Sequence, residues 1–295
     1  FFCYKNIEIV KKKLHIAVQK SGRLNKDSLQ LLSDCGISID NGKDQLKAIA
    51  RNFPMEIYYL RNGDIPQYLR DGIVDIAILG ENLLVEKGAD INIKEKLGFS
   101  KCRVSIAVPK EVKYEGIQSL KGKKIATSYP NTVNDFLKEK GIDADLHIIN
   151  GSVEIAPNIG LSDAVCDIVS SGSTLFKNNL KEVEVLFTSE AVLAASDTLD
   201  AEKNELLEKL QFRIQSVLKG RQSKYILMNV PNSSIEKISS ILPVLKSPTV
   251  LPLAEPGWSS LHSVVNEGTF WKVIDELKEA GAQDILVCPV EKMVL

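Results

Sequence analysis

An α/β fold of two lobes followed by a smaller β-α-β-β-α-β module is the architecture that this sequence predicts. Short apolar runs, such as residues 74–80, alternate with helical segments that end at glycine. Such runs are typical of parallel strands buried on both faces of a sheet. The same alternation begins again near Leu120. Residues 221–295 then follow the strand and helix order of a ferredoxin-like domain.

The first lobe begins with an apolar strand over residues 14–18. Leu29 and Leu32, at near-helical spacing, predict a helix over 25–35 that ends before Gly36. The other elements predicted in this lobe are strands over 56–60, 74–80 and 103–108 and a short helix over 65–70.

The second lobe is followed by a long amphipathic helix over 201–219, with Leu210 and Ile214 on its apolar face. The other predicted elements are strands over 124–127, 146–149, 166–169, 183–187 and 191–195 and a helix over 132–140. The final module is predicted to hold strands over 224–230, 249–254, 261–265 and 284–289 and helices over 233–242 and 269–280.

Three domains are therefore expected. Residues 1–109 form the first lobe, to which residues 190–220 return. Residues 110–189 form the second lobe, and residues 221–295 form the third domain.

Composition excludes several classes of protein. The 295 residues include 37 basic and 38 acidic side chains, a net charge of −1, so we expect no nucleic-acid partner. No apolar run approaches the ~20 residues of a membrane helix, and residues 1–13 do not resemble a signal peptide. The five cysteines are scattered and lack a C-x-x-C pair. This pattern argues against a zinc site and favours reduced thiols in the cytoplasm.

The strongest local signal is a run of hydroxyl side chains behind a predicted buried strand. The strand over 166–169 carries Asp167. The residues that follow it are Ser170, Ser171, Gly172, Ser173 and Thr174. Backbone N–H groups at the start of a helix, with hydroxyls beside them, favour a phosphate, and a glycine allows close approach. An ordinary capped turn is the alternative interpretation. The sequence has neither a P-loop nor a G-x-G-x-x-G motif.

Other charged residues suit the same cleft. Glu154 follows another strand and is a second acid that could reach it, although a solvated helix acid fits equally well. Lys20 and Arg23 flank a small turn that suits a polyanion, or they belong to an ordinary surface loop. Asp75 lies in an apolar run, where a buried carboxylate needs a partner. Arg103 could bring a guanidinium group to the cleft.

Six segments in order resemble the long form of the ATP phosphoribosyltransferase family. The resemblance extends from about Leu14 to Met293. The segments that carry it are 17–24, 80–82, 125–130, 150–154, 167–175 and 247–254. Each segment alone is a weak signal, whereas all six in this order are specific.

The resemblance implies a fold and a reaction. The fold is two α/β lobes like those of a periplasmic binding protein, which form the catalytic cleft, and a C-terminal ferredoxin-like (ACT-like) regulatory domain. The reaction joins N1 of ATP to C1 of phosphoribosyl pyrophosphate, releases pyrophosphate and requires Mg²⁺. It is the first step of histidine biosynthesis. The long form is implied to be a cytoplasmic homohexamer of dimer units that histidine inhibits, with no separate regulatory subunit.

The resemblance also implies roles for individual residues. Asp167 and Glu154 are implied to hold the ribose hydroxyls and, through the substrate, the metal. The residues implied for phosphoribosyl pyrophosphate are Ser170, Ser171, Gly172, Ser173, Thr174, Lys20 and Arg23. Those implied for the ATP side are Ser21, Gly22, Asp75, Glu81, Arg103, Ser128 and Tyr129. Those implied for histidine are Asn229, Leu245, Ser247, Thr249 and Asp284.

One departure from the usual pattern affects the sugar site. The common phosphoribosyltransferase motif has two adjacent acids before the hydroxyl loop, whereas here Asp167 follows Val165 and Cys166. Glu154 would have to supply the second acid. Two alternatives remain open at this point: another cytosolic phosphoribosyltransferase, or a non-catalytic two-lobed solute-binding protein.

Overall fold

The computed structural model describes residues 12–40, 45–88, 91–242 and 247–294. The chain divides into two compact units. The first extends to Glu208 without residues 34–36, and the second comprises residues 34–36 and the chain from Lys209 onward. Across the described ranges, no helix is both long enough and apolar enough to cross a membrane.

Strands make up three sheets in the described chain. In chain order they are β1 (Leu14–Gln19), β2 (Lys47–Ile49), β3 (Met55–Leu60), β4 (Ile76–Gly80), β5 (Asn92–Lys96), β6 (Cys102–Pro109), β7 (Lys124–Thr127), β8 (Asp145–Ile148), β9 (Ala164–Val169), β10 (Leu180–Ser189), β11 (Ala191–Ala195), β12 (Ser223–Pro231), β13 (Thr249–Pro252), β14 (Trp258–Asn266) and β15 (Gln283–Pro289). The α-helices are α1 (Arg23–Asp34), α2 (Ile65–Arg70), α3 (Glu81–Glu86), α4 (Pro130–Glu139), α5 (Ser173–Lys177), α6 (Ala201–Arg221), α7 (Ile235–Ile241) and α8 (Glu267–Glu279).

The first sheet has six strands in the order β2-β3-β1-β4-β11-β5. Strand β1 pairs in parallel with β3 and β4, while β11 returns from later in the chain and pairs antiparallel to β4. All five residues of β11 are buried, as are four of the five in β4. These continuous apolar runs form the centre of the sheet, as the sequence predicts.

The second sheet has the order β10-β6-β9-β7-β8. Strand β6 pairs antiparallel with both β9 and β10. The sequence predicts that residues 102–109 belong to the first lobe, with the boundary after Pro109. The pairing of β6 puts them in the second sheet, so the chain passes between the sheets before Cys102.

The second unit contains a four-stranded antiparallel sheet in the order β13-β14-β12-β15. This order is that of a ferredoxin-like domain, and it confirms the predicted β-α-β-β-α-β module. Along β12, Ile226, Met228 and Val230 are buried in a core that includes Phe270 and Leu277 of α8. The side chains that alternate with them lie on the other, open face of the sheet.

Candidate active site

Asp167 lies near the carboxyl end of β9, where a cavity of about 190 Å³ opens. Glu154 and residues 168–175 line the same cavity. The structure therefore brings together the two acids and the whole hydroxyl loop, as expected from the sequence. The carboxyl ends of strands in an open α/β sheet are where ligands bind in this class of fold.

The environment of Asp167 sets its charge state. Burial raises the pKa of this carboxyl to about 6, and the nearby charge of Glu154 acts in the same direction. The N–H of Ile168 donates to Oδ1 at 2.7 Å, which opposes the rise in pKa. Within the described residues, neither Asp167 nor Glu154 forms an ion pair. The pair therefore stays an uncompensated negative site.

The loop over 170–174 presents polar groups to this cavity. Gly172 has φ of +76°, a left-handed conformation that favours glycine, and no atom lies within 4 Å of the position of a Cβ there. The hydroxyls of Ser170, Ser171, Ser173 and Thr174 belong to exposed residues. Helix α5 has only five residues, so the loop's own hydroxyl and N–H groups, not the end of a long helix, are its donors.

A larger cavity of about 450 Å³ adjoins the first and shares Asp167, Ile168 and Ser170 with it. Arg23, at the start of α1, lines this cavity from the first lobe. Lys20, Ser21 and Gly22 form the exposed turn just before Arg23, at the carboxyl end of β1. The lining of this cavity therefore includes Arg23, which follows the basic turn of the first lobe, and Asp167 of the second lobe.

A third cavity, of about 390 Å³, contains Glu81 and Arg103 and shares Ser170 with the others. The guanidinium of Arg103 makes a two-pronged ion pair with Glu182 and also donates to the carbonyl of Ser170 at 3.2 Å. Glu81 pairs with Lys96 at 3.3 Å. Arg103 is thus oriented along the base of the hydroxyl loop.

Ser128 and Tyr129 occupy the turn after β7. The hydroxyl of Ser128 lies 3.4 Å from Oδ1 of Asp167. Tyr129 is only 6% exposed, burial raises the pKa of its hydroxyl, and that hydroxyl accepts a hydrogen bond from Asn82 at 2.8 Å. Ser128 is therefore the member of this turn that faces the cleft acid, while Tyr129 packs behind it.

The structure does not bring Asp75 to this cleft. Asp75 immediately precedes β4, whose other end, at Gly80, reaches the cavities. Its carboxylate accepts from Lys203 at 2.7 Å and from the N–H of His15 at 2.7 Å, at the opposite end of β1 and β4. The expectation that Asp75 lines the ATP side is wrong. The expectation that this buried carboxylate needs a partner is confirmed.

The cleft also contains residues that the sequence did not predict. Lys101 lines both of the larger cavities and forms no ion pair in the described part of the chain. Asn62 lines the 450 Å³ cavity, and its buried Oδ1 has no hydrogen-bond partner among the described residues. Lys101 lies two residues before Arg103, which the sequence indicates as a cleft residue, so its position was a usable signal. Asn62 begins a short 3₁₀-helical turn after β3, and no sequence motif marks it.

The residues implied for histidine lie in the second unit. Nδ2 of Asn229, in β12, donates to Asp284 of β15 at 3.0 Å. Asp284 has φ of +49°, at a register shift between the two strands that directs its side chain toward Asn229. Thr249 lies in β13 opposite His262, and Ser247 is exposed just before that strand. Leu245 lies outside the described residues.

Comparison with known proteins decides the family. Residues 61–216 match the family model of ATP phosphoribosyltransferase (HisG), and residues 220–292 match that of HisG, C-terminal domain. An ATP phosphoribosyltransferase from Cytophaga hutchinsonii is 55% identical over 281 residues, which is 95% of this chain and 98% of the relative. One from Phocaeicola vulgatus is 50% identical over 282 residues, 96% of this chain and all of the relative.

The chain belongs to the ATP phosphoribosyltransferase family. This confirms the family resemblance, the enzyme class and the placement at the first step of histidine biosynthesis. The solute-binding alternative and other phosphoribosyltransferase classes are set aside, since the named relatives match this chain over nearly its whole length.

A solved ATP phosphoribosyltransferase complex shares the fold of much of this chain. The ATP phosphoribosyl transferase (HisG:HisZ) complex from Thermotoga maritima matches with a TM-score of 0.61 and 27% identity. The match covers 98% of that chain but 70% of this one. The chain with the printed sequence is therefore the longer of the two ATP phosphoribosyltransferases, and about 30% of it lies outside the matched part.

Proposed function

We propose that Asp167, Glu154 and the loop over 170–174 hold the ribose 5-phosphate part of phosphoribosyl pyrophosphate while N1 of ATP attacks C1. The observation that carries this proposal is that one cavity is lined by both acids and the hydroxyl loop. The carboxylates accept hydrogen bonds from the ribose hydroxyls, and the loop donates to the 5′-phosphate. The reaction forms the N1–C1 bond as the bond from C1 to pyrophosphate breaks.

The charge of this cavity suits the reaction. Displacement at the anomeric carbon builds positive, oxocarbenium-like charge on the ribose. A carboxylate fixed in a partly buried site stabilises such charge better than water does. N1 of adenine carries a free electron pair and needs no strong base, so orientation of the two substrates supplies much of the acceleration.

The two acids also fit the expected Mg²⁺. Among the described residues, no group of three or more metal-binding side chains is present. Mg²⁺ is commonly held by one or two carboxylates together with substrate phosphates and water, and Asp167 and Glu154 match that need. When bound, the metal neutralises charge on the departing pyrophosphate. Lys20 and Arg23 would hold the same group from the first lobe.

For the ATP side, we propose that Ser21, Gly22, Glu81 and Ser128 face the nucleotide. Arg103 supports this side by fixing the carbonyl of Ser170. Tyr129 supports it by holding its neighbour Ser128 in place, since its own ring is buried.

An assay with ATP, phosphoribosyl pyrophosphate and Mg²⁺ tests the proposal. Formation of N1-substituted adenine, followed by absorbance, should match pyrophosphate release. Variants of Asp167 or of Thr174 should bind phosphoribosyl pyrophosphate more weakly, so that KM rises more for phosphoribosyl pyrophosphate than for ATP. If KM for both substrates were the same in these variants as in the unaltered enzyme, the assigned roles would be contradicted.

We also propose that residues 221–295 form the regulatory domain and bind histidine through Asn229, Ser247, Thr249 and Asp284, together with Leu245. The polar pair Asn229–Asp284 on the open sheet face supports this proposal. An Asp284→Ala variant should lose histidine inhibition and keep its activity without histidine. Asp275→Ala, exposed on α8, is the matched control. Normal inhibition of the Asp284 variant would refute the site.

The same domain supports a homo-oligomer, which we propose to be a hexamer of dimer units that needs no separate regulatory subunit. Leu251 and Leu286 are 49% and 61% exposed on the open sheet face, which also carries Tyr225. A Leu286→Glu variant should lower the mass measured by light scattering, and an unchanged mass would exclude this face from the contact.

The described cysteines, Cys35, Cys102, Cys166 and Cys288, are all free, which supports the proposed cytoplasmic location.

A further inference from the structure

Glu86 is a buried carboxylate that belongs to the first lobe but binds the second. It is the last residue of α3 and is 4% exposed. Its Oε2 accepts from the N–H and the hydroxyl of Thr132, at 2.9 and 2.8 Å. Its Oε1 accepts from the N–H of Asn131 at 3.1 Å, and its carbonyl accepts from the side chain of Asn131 at 2.9 Å.

These bonds complete the start of α4. The first N–H groups of a helix have no partner within the helix, and a side chain at the N-cap position usually supplies one. Tyr129 holds that position here and makes no capping bond, while Pro130 has no N–H. No ion-pair partner of Glu86 occurs among the described residues, so its charge is stabilised by the end of α4.

The other end of α3 holds the same turn. Nδ2 of Asn82 donates to the hydroxyl of Tyr129 at 2.8 Å, and Oδ1 of Asn82 accepts from Ser189 at 3.1 Å. Asn82 is 4% exposed. A Cβ at Gly80 would collide with Oδ1 of Asn82, so glycine is required there for this arrangement. Both ends of the six-residue helix thus bind residues 129–132.

We infer that α3 is a clamp, in which Glu86 and Asn82 act as positioning residues for the turn over 128–132. The turn includes Ser128, whose hydroxyl lies 3.4 Å from the carboxylate of Asp167. The clamp therefore fixes Ser128 beside the acid that binds the sugar. This inference rests on the proposed role of Asp167, and its structural part can be tested without substrate.

Hydrogen exchange tests the structural part. The N–H groups of Asn131 and Thr132 should exchange slowly, whereas amides in the first turn of an uncapped helix exchange fast. Glu86→Gln should raise their exchange rates by about tenfold or more, since a bond to a charged acceptor is lost. Glu139→Gln on the same helix, 72% exposed, should leave them unchanged. Fast exchange in the unaltered enzyme would overturn the clamp.

Kinetics tests the positioning part. We expect Glu86→Gln to raise KM by about tenfold for ATP, whose proposed site includes Ser128, and also for phosphoribosyl pyrophosphate, because Ser128 lies against Asp167. These values apply at a temperature well below the melting point of the variant. Thr132→Val, a milder change, should give part of this effect, and the double variant should resemble Glu86→Gln alone because both remove one set of bonds. A lower melting temperature with unchanged KM and kcat would show a purely structural role. Full activity of Asp167 variants would refute the proposed sugar site but leave the amide protection standing.

Discussion

Lys203 places its ammonium group 2.7 Å from the carboxylate of Asp75, at the end of the first sheet remote from the cleft. Asp75 is 5% exposed, and its second oxygen accepts the N–H of His15 at 2.7 Å. Every strong contact of this acid is therefore with the frame of the first lobe. The pair supports the sheet and does not take part in substrate binding.

Lys203→Met should destabilise the enzyme strongly and leave its chemistry intact. Removing one partner of a buried ion pair leaves an unpaired charge, at a cost of about 3–5 kcal/mol. Denaturant titration should show this loss, whereas kcat/KM measured under folding conditions should stay within about twofold. Lys219→Met, on the exposed side of the same helix, is the control. A large fall in kcat/KM for Lys203→Met would return Asp75 to the active site.

Asp167→Asn should stabilise the enzyme while it removes activity. The raised pKa of Asp167 means that its ionised form is disfavoured in the folded chain, by roughly 2–3 kcal/mol at neutral pH. The neutral amide avoids that cost, so the melting temperature should rise. The loss of the negative charge should lower kcat/KM by about 10²-fold or more.

Asp163→Asn serves as the control for this variant, because Asp163 immediately precedes the same strand and lies outside the three cleft cavities. Its kcat/KM should be close to that of the unaltered enzyme. An Asp167→Asn enzyme that is both less stable and fully active would contradict the assignment.

The pH dependence should carry the signature of Asp167. Its pKa is about 6 in the folded chain, against a reference value of 3.8, so the folded state binds more protons between these values. Its contribution to stability is therefore fully present below about pH 4 and is lost as the pH rises to about 6. The same ionisation should raise kcat/KM for phosphoribosyl pyrophosphate through a midpoint near pH 6.

Glu154→Gln should move that midpoint to lower pH, because the negative charge of Glu154 helps to raise the pKa of Asp167. A pH–rate profile of the variant measures the shift. A midpoint that stays in place would show that another group controls the acid limb.

Gly172→Ala should separate backbone strain from substrate binding. Gly172 and Gly160 have similar left-handed φ values, +76° and +73°, and both have open space around the position of a Cβ. Alanine at either site should cost about 1 kcal/mol of stability. Only Gly172→Ala should raise KM for phosphoribosyl pyrophosphate, because only Gly172 lies in the hydroxyl loop. Equal KM values for the two variants would argue against phosphate binding by that loop.

The sequence predicted the buried strands and the Asp167 loop because each is a continuous local pattern. Asp75 was misplaced although a signal existed: it lies at the amino end of the predicted strand over 74–80, and ligands bind beyond the carboxyl ends of strands. Helix α3 is too short for its periodicity to be recognised. Glu86 and Thr132 are 46 positions apart in the sequence, so no local sequence pattern predicts the contact that forms the clamp. Strand β5 is polar and half-exposed, and it lacks the apolar alternation of a recognisable strand.

The most direct test of the sugar-phosphate site is a crystal structure of the enzyme with phosphoribosyl pyrophosphate and Mg²⁺. We predict the 5′-phosphate within the loop over 170–174 and the ribose hydroxyls within hydrogen-bond distance of Asp167. Density for the ligand at another place, with this loop unchanged and empty, would contradict the account.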